Sequence, residues 1–93
     1  MPAPRPGGTR TVSRVQTGVR MEKHLLQLLK ALAGMLDLSF GDLLEGIVLH
    51  AMEGKDPFGA QTRAKVAQLR KVYGVTISAR DSHRLVERSR KRE

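Results

Sequence analysis

The chain has 93 residues, of which 17 are lysine or arginine and nine are aspartate or glutamate, so its formal net charge is +8. This length leaves room for one domain plus tails. The positive charge favours a polyanionic partner, and favours nucleic acid over a membrane surface. The absence of cysteine excludes disulfides, thiolate catalysis and cysteine-ligated zinc.

The charge is unevenly distributed along the chain. Residues 1–20 contain four arginines and no acid, residues 21–53 two lysines against five acids, and residues 54–93 eleven lysines or arginines against four acids. The start of the chain lacks the apolar core of a signal peptide, and no apolar run reaches membrane length. We therefore expect a cytoplasmic protein without a membrane partner.

Residues 1–13, MPAPRPGGTRTVS, combine proline, glycine, arginine, serine and threonine without a hydrophobic period. Such a composition buries too little apolar surface to offset the entropy cost of ordering the backbone. This stretch is predicted to be a flexible basic arm.

A period of two begins at Val15 and defines what we call the alternating segment, residues 15–21. One side would carry Val15, Thr17, Val19 and Met21, and the other Gln16, Gly18 and Arg20. The alternation predicts a short strand buried on one face.

A helical period of 3.6 replaces the alternation near Glu22 and is expected to end near Asp37. The apolar residues from Leu25 to Leu36 fill an arc of about 180°, whereas a helix that covers one neighbour needs only about 100°. This first helix is therefore predicted to contact two neighbours. Together with the lone strand, the broad arc indicates a missing subunit.

The stretch LDLSFGDLL predicts a second helix over about residues 40–53. Ser39 is the expected N-cap, and Asp42 three positions later would complete a capping box. Apolar side chains cover more than half of this helix, which is therefore predicted to be mostly buried. They are Leu43, Leu44, Ile47, Val48, Leu49, Ala51 and Met52.

The C-terminal part of the chain is predicted to add two weaker helices. A third helix over about residues 60–73 carries a narrow apolar stripe and ends before Gly74, a plausible C′ residue. A fourth helix over residues 79–90, capped from Ser78, would run into the basic end RSRKRE.

The order of strand, helix, turn and helix over residues 15–53 resembles the ribbon-helix-helix family. The stretch GVRMEKHLLQLLKALAGMLDLSFGDLLEGIV follows the family pattern without insertion. The resemblance implies a mainly α fold, a homodimer with one intermolecular two-stranded antiparallel β-ribbon, here with additional C-terminal helices. Residues 1–13 would be the arm, 14–54 the dimerisation and DNA-binding core, and 55–93 a basic C-terminal extension. A second copy would supply the backbone partner that a lone strand lacks.

The resemblance also implies that the ribbon enters the major groove of double-stranded DNA. Gln16, Gly18 and Arg20 match the base-contacting positions of the family. Arginine can bond guanine, and glutamine adenine, through two hydrogen bonds each. Gly18 has no side chain, so either Gln16 and Arg20 carry the specificity or the glycine permits closer approach of the backbone.

The start of the predicted second helix matches the phosphate-binding turn of the family. There, backbone N–H groups and the helix dipole would hold a phosphate at Ser39, Phe40 and Gly41. Arg14 is assigned as a further phosphate contact, and the basic ends are expected to bind DNA without regard to sequence.

The sequence has no feature typical of an enzyme, and no catalytic residue, cofactor or metal ligand is predicted. It has neither a nucleophile elbow nor a glycine-rich phosphate loop. His24, His50 and His83 do not have the spacing of metal ligands.

The resemblance implies a homodimeric, sequence-specific DNA-binding protein of the nucleoid that acts as a transcriptional repressor. An alternative is an antitoxin, or a plasmid partition or mobilisation accessory protein, that binds a cognate protein partner through residues 57–93. A less favoured hypothesis is a helical interaction module without a role on DNA.

Overall fold

The computed structural model describes residues 9–88, which are mainly helical, as predicted. Helix α1 spans Lys23–Met35, α2 spans Phe40–Met52 and α3 spans Ala60–Tyr73, followed by a 3-10 turn at Ala79–Asp81. All three α-helices agree with the predicted positions to within about two residues. The first eight residues of the predicted arm and the basic end 89–93 lie outside the described residues.

Helix α1 has a defined cap at each end. At its start, Glu22 is the N-cap, and its Oε1 accepts a hydrogen bond from the Leu25 backbone N–H at 2.8 Å. At its end, the Leu38 N–H donates to the Ala33 carbonyl at 2.9 Å, and the turn closed by this bond contains Asp37. Asp37 has a φ of 59°, the left-handed conformation that usually requires glycine. The chain therefore reverses direction between α1 and α2 within a few residues.

Helix α2 has the predicted N-cap, Ser39. The Ser39 hydroxyl accepts a hydrogen bond from the Asp42 backbone N–H at 3.0 Å, which is one half of the predicted capping box. The Asp42 carboxylate, expected to complete the box, instead accepts a hydrogen bond from Arg14. The cap therefore fixes where α2 starts and leaves its first acidic side chain available to a distant residue.

Helix α1 lies between α2 and α3 and contacts both. The buried core contains four residues of α1, one each of α2 and α3, and one that follows α3: Leu28, Leu29, Leu32, Ala33, Leu43, Leu69 and Val75. The prediction that α1 has two neighbours is confirmed. Both neighbours belong to the same chain, so the broad apolar arc of α1 is not evidence of a missing subunit, and that interpretation was wrong.

The predicted burial of α2 is also wrong for the single chain. Leu43 is its one buried residue, whereas Val48, Leu49 and Met52 are 52%, 60% and 77% exposed. The physical reason is geometric, since α2 contacts α1 through one side and neither α3 nor any other described helix covers the remainder. An apolar face of α2 is left open to solvent.

The alternating segment forms no strand in the described chain, and the β-ribbon is not seen. Within the described range, no backbone group of residues 9–21 bonds to another backbone group. A strand requires a second strand as its hydrogen-bonding partner, and residues 9–88 contain none. Residues 15–20 are left exposed, with Val15 at 86% and Val19 at 69%, and Met21 alone packs against the core.

The predicted fourth helix is reduced to the 3-10 turn at Ala79–Asp81, and residues 84–88 have no regular structure. The Ser78–Asp81 capping box does form, with the Ser78 N–H bonded to Asp81 Oδ2 at 2.8 Å. Beyond it, His83 has a φ of 66°, which breaks the helical path. The following sequence offers only Leu85 and Val86 as adjacent apolar residues, which give no stripe with which to dock a helix.

Candidate nucleic-acid interface

The predicted base-contacting residues all lie on exposed backbone before α1. Gln16, Gly18 and Arg20 are exposed, but so are Val15 and Val19 between them. A side chain added at Gly18 would meet nothing within 4 Å, so packing inside this chain does not require glycine there. The single chain therefore presents both sides of the alternating segment to solvent.

Arg20 forms an ion pair with Glu87, a residue 67 positions later in the chain. Residues 20–24 and 85–88 line an open cleft beside the start of α1. The C-terminal segment thus places an acid on the arginine that the resemblance assigns to base recognition. The sequence contained no signal for this pair.

Arg14 lies at the opposite end of the alternating segment and bonds to α2. Its Nε donates to Glu45 Oε2 at 3.0 Å and its Nη2 to Glu45 Oε1 at 2.7 Å. The same Nη2 is 3.3 Å from Asp42 Oδ1. The predicted phosphate contact is therefore already bonded to two carboxylates of its own chain.

This ion pair perturbs both of its main partners. The hydrogen bond and charge of Glu45 raise the pKa of Arg14 above its ordinary value, with a smaller contribution from Asp42. The hydrogen bond from Arg14, more than its charge, lowers the pKa of Glu45. Each partner thus favours the charged form of the other.

The predicted phosphate-binding turn lies beside this pair. Gly41 is exposed, Phe40 is partly buried against the core, and the Ser39 hydroxyl is engaged in capping. The amides of the first turn of a helix have no intrahelical acceptor and can face an anion. Asp42 and Glu45 place negative charge nearby, and Arg14 offsets it.

The three histidines do not converge on one site. His24 Nδ1 is 2.8 Å from Glu22 Oε2, and His50 Nδ1 is 2.7 Å from the Gly46 carbonyl in its own helix. In residues 9–88, no group of three or more histidine, aspartate or glutamate residues could hold a metal ion. Among the helices of the same range, none is long and apolar enough to cross a membrane.

Sequence reasoning missed three acids that contribute to this region: Glu22, Glu45 and Glu87. Glu22 had a local signal, an acid directly before a helical apolar period, and its cap bond with Leu25 is the main cause of its lowered pKa. Glu45 and Glu87 pair with residues far away in sequence, which no local pattern indicates.

Comparison with known proteins yields no family model that matches the chain, and no curated protein or solved structure matches at a significant level.

Proposed function

We propose that this chain is a sequence-specific DNA-binding protein that acts as a homodimer and contacts the major groove through a β-ribbon built from two alternating segments. A transcriptional repressor is the role that fits this activity best. The proposal rests on residues 15–53 and on the surfaces that the folded chain leaves without a partner.

The observation that carries the proposal is the exposure of the alternating segment. Val15 and Val19 are 86% and 69% exposed on backbone that bonds to no other described backbone group. Val15 and Val19 lie on the same side of the alternation, so one partner strand can bury both and can replace water as the bonding partner of the amides. The same segment of a second copy, running antiparallel, would pair the amides and cover the valines.

The open face of α2 supports the same partner. Val48, Leu49 and Met52 are exposed on a helix that is otherwise part of the core. A second copy would bring an identical face, and two such faces can cover each other around a twofold axis. The dimer thus accounts for the two main apolar surfaces by one association.

Charge and side-chain chemistry favour DNA as the ligand of such a dimer. Gln16 and Arg20 can make paired hydrogen bonds to base edges, and the chain carries a formal net charge of +8. A dimer doubles this charge, which supplies the sequence-independent attraction to phosphates.

The test has two parts, performed on the full chain. Sedimentation across a range of concentrations should show a dimer that dissociates on dilution with loss of helicity. Selection from a random duplex pool should yield a twofold-symmetric site with tight, salt-dependent binding. A folded monomer with concentration-independent helicity, or a flat binding curve at low salt, would reject the proposal.

One observation favours the alternative of a protein-binding extension. Leu85 and Val86 are 54% and 93% exposed on a segment without regular structure that also carries Arg84 and Arg88. In an antitoxin or plasmid accessory protein, such a segment could bind an acidic partner. Co-expression with the product of a neighbouring reading frame, using the wild-type chain and a Leu85→Asp, Val86→Asp variant, tests it. A complex with the wild-type chain alone would favour this role.

A further inference from the structure

The alternating segment is held at both of its ends in the single chain. At its C-terminal end, Glu22 caps α1 through the Leu25 N–H, so the direction of the chain entering the helix is fixed. At its N-terminal end, Arg14 bonds to α2, 28 and 31 residues further along the chain. Between these anchors residues 15–20 are exposed, and Met21 is partly buried against the core.

Arg14 forms a bidentate ion pair with Glu45. Two different nitrogens of one guanidinium meet the two oxygens of Glu45, at 3.0 and 2.7 Å. Paired bonds of this kind fix orientation as well as distance, and lysine cannot reproduce them. The Asp42 carboxylate, one helical turn before Glu45, shares Nη2 of the same guanidinium at 3.3 Å.

The bonds from the Arg14 guanidinium to Glu45 and Asp42 argue against a phosphate contact by Arg14. Its Nε and Nη2 already bond to carboxylates, so a phosphate would have to displace them or bond to Nη1 alone. The pair instead offsets two negative charges beside the first amides of α2, where DNA phosphate is expected under the proposed function.

We propose that Arg14 is a positioning residue that ties the start of the alternating segment to Glu45 and Asp42 of α2, and so sets the direction in which Gln16, Gly18 and Arg20 face DNA. This inference rests on the proposed function. It replaces the assignment of Arg14 as a phosphate contact.

The first part of the test measures DNA binding by three variants. They are Arg14→Gln, Glu45→Gln and a double variant that exchanges the two residues, Arg14→Glu combined with Glu45→Arg. Each single variant should lose about threefold to tenfold in affinity for the selected duplex, since the dimer contains the pair twice. The slope of affinity against salt should stay unchanged, and the exchanged pair should recover most of the loss. Glu53→Gln, which removes an acid from the other end of α2, is the matched control and should not weaken binding.

The direction in which Glu45→Gln changes the affinity for DNA distinguishes a positioning role of Arg14 from a phosphate contact. Removing an acid near DNA strengthens binding if Arg14 acts only as a cation, whereas it weakens binding if Arg14 must be held. A shallower salt slope for Arg14→Gln, by about one unit per site, together with tighter binding by Glu45→Gln, would overturn the inference.

A second arm does not depend on DNA. Backbone ¹⁵N order parameters of residues 14–17 should fall towards the flexible range, below about 0.6, in both single variants but not in Glu53→Gln. Unchanged values in both single variants overturn the anchor whether or not DNA is bound. If these values fall as expected but the wild-type chain binds no duplex, the proposed function fails and the anchor stands.

Discussion

Arg14 and Arg20 lie at opposite ends of the alternating segment, and each is paired with an acid from a distant part of the chain. Arg14 holds Glu45 and Asp42 on α2, and Arg20 holds Glu87 near the C-terminus. These pairs are exposed, so each contributes little to stability by itself. The pairs matter because they fix the position of the alternating segment. The pair of Arg20 with Glu87 must also break if Arg20 is to contact DNA.

The adjacent residues Val19 and Arg20 provide a test at the scale of single side chains. Arg20→Ala should keep the dimer but lose about 1–3 kcal/mol of discrimination at one base pair per half-site. Val19 is 69% exposed in the single chain, so Val19→Ala should destabilise only the dimer, with base preference unchanged. Binding to single-base variants of the selected site, alongside sedimentation, measures both. Identical effects of the two substitutions would exclude a strand with two distinct faces.

Glu87 is predicted to compete with DNA for Arg20. Glu87→Gln should therefore tighten binding by about twofold to fivefold, since an exposed ion pair no longer has to be broken. In the background of Arg20→Ala, the same substitution should have a smaller effect. Titration of all four combinations with the selected duplex measures the coupling. An equal gain in both backgrounds would mean that Glu87 acts only through its general charge.

Among the elements, the helices begin or end at residues directly next to them in the sequence. Ser39 caps α2, Glu22 caps α1, and Gly74, with a φ of 66°, ends α3 in the left-handed conformation. These contacts span only a few residues. They fix the residues at which α1 and α2 begin and α3 ends. The start of α1 is also the point at which the alternating segment meets that helix.

The cap of α1 makes its stability depend on pH. The pKa of Glu22 lies below its ordinary value of 4.5, first because its carboxylate accepts a hydrogen bond from the Leu25 N–H and then because it bonds to His24. The folded chain therefore binds this proton more weakly than the unfolded chain. The stabilisation is complete above about pH 4.5 and is lost as the pH falls through the lowered pKa.

Glu22→Gln tests this dependence because glutamine keeps an oxygen acceptor but does not titrate. Urea unfolding followed by circular dichroism between pH 7 and 3 should show a smaller loss of stability on acidification than in the wild-type chain. Glu53→Gln, at the exposed end of α2, is the control for removing one acid. A wild-type acid dependence in Glu22→Gln would show that the cap carboxylate does not cause it.

At the scale of the whole molecule, the chain has one covered apolar surface and a second that is open. Leu32, with no exposed surface, lies in the core between the helices, whereas Leu49 is 60% exposed on the outer face of α2. The two leucines are therefore a matched pair for separating folding from association.

Leu32→Ala should lower the free energy of unfolding by about 2–5 kcal/mol at every protein concentration. Leu49→Ala should leave the packing of the core nearly unchanged and raise the dimer dissociation constant by about tenfold. Urea unfolding at several concentrations and sedimentation measure the two quantities. An unchanged dissociation constant in Leu49→Ala would exclude this face from the dimer.

The three α-helices, the Ser39 cap and the glycine end of α3 could be predicted from local sequence, because each depends on contacts within about one helical turn. The hydrophobic period also showed that α1 has two neighbours. The packing of the helices was needed to show that both neighbours belong to the same chain, that α2 keeps an open face, and that residues 84–88 are not helical. The tertiary structure alone placed Glu45 on Arg14 and Glu87 on Arg20, 31 and 67 residues apart. The physical reason is that caps and periods are local, whereas burial and ion pairing depend on which surfaces the packed helices bring together.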